Sequence, residues 1–162
     1  MAGREHNIHP MDIQMDMEEA KRLLFHPSAN TRDNPFRLNK ACFFCEQVIE
    51  KVMKYDLEVM LHPKEYHQIE NKHNISVMCV KMAEHNKRFS RNHPYIVENA
   101  PDLGKLNGAR YGHVRITQAD AQKIYSEAKK MYDEFLKLHP NVLSPKKSAK
   151  SYKKLSPLFE KD

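Results

Sequence analysis

Apolar residues recur along this chain in steps of three and four, the spacing that places them on one side of a helix. Ile13, Met17, Ala20 and Leu24 predict a first helix over residues 11–25, with acids early and Lys21 and Arg22 late, as the helix dipole favours. Cys42, Cys45, Ile49, Val52 and Val59 form a second stripe, which predicts a helix from about Lys40 to Leu61. Phe44, Val48 and Tyr55 widen that stripe, so this helix is expected to be the most buried. Pro63 suits the first turn of a third segment carrying Tyr66 and Ile69. Residues 71–74 break the pattern, and Ile75, Met78, Cys79 and Met82 resume it towards Arg88. The last helix starts at a Thr117 cap with Asp120 three residues on, and Ala121, Ile124, Ala128, Met131, Phe135 and Leu138 make a helix-packing seam.

Between these lie two stretches without a long apolar period. Residues 27–37 are turn-forming. Residues 90–116 hold Pro94 and Pro101 and three of the four glycines, and read as a long binding-type loop in which residues 114–116 extend briefly. The fold class expected is therefore all-α, with four main helices, one domain over residues 1–143 and a basic extended tail over 144–162.

Five of the nine prolines follow a histidine: His9-Pro10, His26-Pro27, His62-Pro63, His93-Pro94 and His139-Pro140. Proline disfavours helix in the residue before it, and histidine in a last helical turn can donate to carbonyls left without partners. The pairs read as stops between helices.

Composition narrows the class further. Forty per cent hydrophobic and 30% charged residues, with four glycines, favour a water-soluble helical protein. No apolar run approaches the roughly 20 residues that span a bilayer. Asp12, Asp16, Glu18 and Glu19 interrupt any secretory signal. Three cysteines are an odd number, which points to a reducing intracellular compartment rather than a disulfide framework. The net charge of +6 is unevenly spread: the first 24 residues are acidic and the last 18 basic, which suits contact with an acidic surface.

Three groups of residues could carry chemistry. Cys42 and Cys45 lie at i, i+3, and with Cys79 and either His73 or His85 they offer the thiolate and imidazole donors that zinc takes in a closed tetrahedral site. The same pair could act as a redox dithiol, although the strand that precedes thioredoxin-like motifs is missing, and buried packing is the plain alternative. Lys105, Arg110, Tyr111, His113 and Arg115 combine positive charge, a stacking ring and nearby glycines, as a phosphate-binding or docking segment would. Lys146 and Lys147 follow Ser144-Pro145 in the tail, where phosphorylation would cancel positive charge. No Walker loop, dinucleotide fingerprint, H-E-x-x-H pair or nucleophile elbow is present.

The expected function is a non-enzymatic structural or interaction subunit of a larger protein assembly, without a cofactor, docking through its loop and termini. A zinc-stabilised nucleic-acid-binding protein is the first alternative. A small CxxC thiol oxidoreductase is the second.

Overall fold

A computed structural model describes residues 8–26, 36–109 and 116–143, with side chains described for all of these except 107–109. Among the described residues there are eight helices and no strand: α1 (Pro10–Phe25), α2 (Arg37–Met60), α3 (Pro63–Ile69), α4 (Ile75–His85), α5 (Phe89–Asn92), α6 (Pro94–Glu98), α7 (Ala100–Ala109) and α8 (Gln118–Leu138). The all-α class is as the apolar spacing predicts.

The central element is α2, which packs against α1, α3, α4, α7 and α8. Its neighbours run in defined directions. Lys51 at mid-α2 pairs with Asp16 of α1 at 2.5 Å, and Arg37 at the start of α2 donates to the Leu23 carbonyl at 2.7 Å, so α1 is antiparallel to α2. Arg37 also reaches the side-chain oxygen of Gln118 at 3.0 Å, whereas Asp56 near the end of α2 meets His139 after the end of α8 at 3.1 Å. Start meets start and end meets end: α2 and α8 are parallel.

The histidine–proline pairs do mark helix boundaries, but not always as stops. His9 and His62 precede α1 and α3, and the Nδ1 of each accepts from the backbone N–H two residues on, at 3.2 Å. The following proline occupies the first helical position, where its missing N–H costs nothing. Here histidine acts as an N-cap acceptor, the reverse of the carbonyl-donating role expected from the sequence. His93 closes α5 and opens α6, and His26 and His139 end α1 and α8.

Residues 89–109 are largely helical, which corrects the expectation of a long loop. Pro94 starts α6, and Pro101 lies in the first turn of α7, so both prolines sit where a helix tolerates them. Ile96, Ala100, Leu103 and Leu106 are buried at steps of four, three and three, a helical period that the intervening Pro101 and Gly104 mask. Gly104 needs no special backbone there: a Cβ would meet only the His73 carbonyl, at 3.8 Å. The expected brief extension at residues 114–116 falls mostly outside the described residues.

Most predicted stripes are buried as expected: Ile13, Met17, Ala20 and Leu24 on α1, and Ala121, Ile124, Ala128, Met131 and Phe135 on α8. Two positions break the pattern. Val59 of α2 is 69% exposed and Leu138 of α8 is 61% exposed, although each lies in register with its buried stripe. Both sit at the C-terminal ends of the two parallel helices. None of the described helices is long and apolar enough to cross a membrane.

Candidate functional site

The cysteines come first, because their geometry decides two of the expected chemistries. Cys42 and Cys45 lie in the second and third turns of α2, fully buried, and Cys79 is buried on α4. All three are free thiols. Burial pushes Cys42 up to about 12, helped by the negative charge of Asp120, and burial pushes Cys79 up to about 11. Cys45 rises as well, from burial and then from Cys42 beside it. A reactive dithiol needs the opposite shift. His73 is taken by Glu50, and His85 stands exposed in the last turn of α4. Among the described residues, no group of three or more His, Cys, Asp or Glu side chains is arranged to hold a metal ion. The five ligand candidates are not brought together.

These thiols should be unreactive in the native protein. A disulfide reagent at neutral pH is expected to label none of the three within minutes and all three in urea. Rapid labelling without denaturant would contradict the packing of α2. Replacing Cys42 and Cys45 with serine buries two hydroxyls and should cost about 1–3 kcal/mol each, read as a lower melting temperature.

Of the docking candidates, Lys105 lies on α7, exposed, 3.6 Å from Asp102, and not on a loop. Arg110, Tyr111, His113, Arg115, Lys146 and Lys147 lie outside the described residues.

The sequence concealed a row of charges buried along α2. Glu46, Glu50, Lys54 and Glu58 recur every four residues, each 6% exposed or less. Such a row reads as a solvated face; here α2 is covered on that side too. Lys54 donates to Glu50 at 2.7 Å, and His73 Nδ1 lies 2.9 and 3.0 Å from the two Glu50 oxygens. Gln47 donates to Glu46 Oε2 at 2.8 Å, while Glu46 Oε1 has no partner. Burial, and then the charge of Glu50, push Glu46 up to about 9. Burial acts on Glu50 in the same direction, but hydrogen bonds from Lys54, Glu46 and His73 outweigh it and hold that carboxyl below its usual range. At neutral pH Glu46 therefore keeps its proton close to an ionised Glu50. Glu50 and Lys54 face a cavity of about 360 Å³ with Tyr66, Glu70 and His73 around it, but Glu46 does not reach its wall.

This arrangement sets a pH dependence. Glu46 ionises near 4.5 when unfolded and near 9 when folded, so its protonation penalty is absent below about pH 4.5 and grows up to about pH 9. Glu46→Gln removes the ionisable group and stays neutral at every pH. It should match the parent near pH 4.5 and exceed it by about 1–3 kcal/mol at pH 8, read by urea denaturation. An equal loss at both pH values would show that Glu46 is not held protonated.

The second arrangement is apolar. Between the ends of α2 and α8 and the α4–α5 turn lies a groove of about 260 Å³. Its walls are Met53, Met60, Met82, Met131, Phe89 and Phe135, with Val52, Val59 and Leu138 completing the apolar surface and the Asn86 amide at its edge. Phe135 packs edge-on to Tyr55 with ring centres 5.1 Å apart, and the His139 ring lies 4.9 Å from Phe135. Two histidine–carboxylate hydrogen bonds flank it. His93 Nε2 meets Glu134 at 2.8 Å, and His139 Nε2 meets Asp56 at 3.1 Å. His93 is 2% exposed, and its Nδ1 is buried with no partner. Among the described residues, no lysine or arginine lines it. A larger hollow of about 810 Å³ follows the outer face of α8, but Lys129, Lys130, Asp133, Glu134 and Lys137 make much of its wall, so it is a solvated trough.

What the groove can do chemically is accept apolar side chains. Its signal in the sequence was present but misread: Val59 and Leu138 continue the core stripes, and the relative placement of two helix ends leaves both largely exposed. Comparisons of the chain with known protein families, curated proteins and solved structures returned no match.

Proposed function

We propose that this chain is a non-enzymatic interaction subunit of a larger protein assembly, and that it docks through the groove at the ends of α2 and α8. The observation that carries this reading is the pair Val59 and Leu138. Both are in register with buried stripes, both are more than half exposed, and both edge one concave apolar surface. Apolar positions that the helical pattern assigns to a core but that the fold leaves in water are expected where a partner completes the packing.

The groove replaces the loop as the expected docking element, since residues 89–109 are helical. An intracellular, reducing setting accords with three buried free thiols. The raised thiol pKa values and the scattered ligand candidates favour neither the oxidoreductase nor the zinc alternative.

The test is mass by sedimentation and co-purification from the source cells, comparing the parent with Val59→Glu and Leu138→Glu. Both positions are exposed, so folding should be retained within about 0.5 kcal/mol. The reading expects a defined set of partners with the parent and their loss with either variant. An unchanged set with folded variants would remove the groove from the interaction.

A further inference from the structure

The chain itself supplies an occupant for the groove. We infer that residues 152–159 of this chain return to the groove at the ends of α2 and α8 and cover it until a partner displaces them. The inference rests on the reading of the groove as a docking surface, and adds how access to it is controlled.

Two observations select this occupant. The first is where the described chain leaves the core. His139 lines the groove, and the Val142 backbone N–H donates to the His139 carbonyl at 3.1 Å, so the chain turns beside the groove instead of continuing α8. Val142 is itself partly buried against the core, and the described residues end at Leu143. The second is the sequence that follows. Residues 144–151 carry no large apolar side chain, whereas Tyr152, Leu155, Leu158 and Phe159 crowd into residues 152–159. This is a polar spacer followed by an apolar cluster. From Leu143 to Tyr152 the spacer reaches at most about 30 Å, against the roughly 10 Å between the axes of packed helices. A ligand on so short a tether meets its site at an effective concentration on the order of millimolar, so a few apolar contacts suffice to seat it. A partner then binds with an affinity lowered by the fraction of chains whose groove is open.

The test uses the full chain with its methionine methyl groups isotopically labelled, read by NMR and by sedimentation. The parent is compared with a variant combining Leu155→Ser, Leu158→Ser and Phe159→Ser. The substitutions should move the methyl signals of the groove residues Met53, Met60, Met82 and Met131, while those of the exposed Met11 and Met15 of α1 stay in place. Phe159→Ser alone should produce the same shifts to a smaller degree. A synthetic peptide of residues 151–160 added to the triple variant should return the groove signals towards their parent positions. It should bind that variant about tenfold or more tighter than the parent, whose site is already filled. In co-purification at limiting partner, the variant should retain more of it than the parent, because its groove stands open.

Groove signals left unchanged by the substitutions, in a variant with the parent's melting temperature, would overturn the inference. Shifts at Met11 and Met15 in place of the groove methyls would overturn the location. If the parent has the mass of a dimer and its groove signals change on dilution, residues 152–159 reach a second copy and the inference fails. Leu138→Glu judges the docking reading separately. Partners lost with Leu138→Glu, while the serine variant leaves the groove signals unmoved, would overturn the cover although the docking reading stands. Partners kept with Leu138→Glu, while the serine variant moves the groove signals, would support the cover and remove the groove as the partner's site.

Discussion

Phe135→Ala is expected to destabilise the protein by about 3–5 kcal/mol, the usual cost of emptying a buried aromatic site. Phe135 is 1% exposed, and it packs edge-on to Tyr55 and beside the His139 ring, where the parallel ends of α2 and α8 meet. Loss of the ring removes one of the contacts between those two helix ends, beside the Asp56–His139 hydrogen bond, and the space left opens onto the groove. Three residues on, Leu138 continues the same seam but is 61% exposed, so Leu138→Ala should change stability by no more than about 0.5 kcal/mol. Thermal unfolding followed by circular dichroism reads both. Similar effects at the two positions would mean that the seam is buried to its end and that no groove exists there.

Lys54→Met should be comparably severe, at about 3–5 kcal/mol at neutral pH, because it leaves a buried carboxylate without its counter-ion. Lys54 is 2.7 Å from Glu50, and both are nearly inaccessible. His73 is half exposed and supplies only part of the compensation. The pH dependence follows from Glu50. Its folded pKa is depressed below the unfolded value near 4.5, so its contribution to stability is present above that value and fades as pH falls through the folded pKa. Parent and variant should therefore converge in acid. Adding Glu50→Gln to Lys54→Met should recover much of the loss at pH 7, since the orphaned charge is gone. A double variant no more stable than Lys54→Met alone would mean that lysine acts there through packing and not through its charge.

The elements built on one apolar stripe were legible in the sequence. For α1, the break at residues 71–74, the Thr117 cap and the body of α8, local spacing and capping point the same way as tertiary packing. The helices α5, α6 and α7 were hidden because proline and glycine are read as breakers, and only position within the first turn distinguishes a proline that starts a helix from one that ends it. The row Glu46, Glu50, Lys54 and Glu58 was hidden for a different reason. A charged stripe signals solvent only when a helix has a free side, and α2 is covered around its circumference. Val59 and Leu138 failed in the opposite sense, since periodicity states which residues share a side but not where the neighbouring helix stops. The candidate site is made of that failure, so a single sequence could supply its residues and not its existence.

A photoreactive amino acid placed at position 138 tests the docking groove most directly, with the same group placed at Val80 as the comparison. Val80 is 58% exposed on α4 and does not line the groove. After irradiation of living cells, the account predicts one discrete cross-linked protein from position 138 and none in common from position 80. An absence of cross-links at 138, or the same products from both positions, would contradict it.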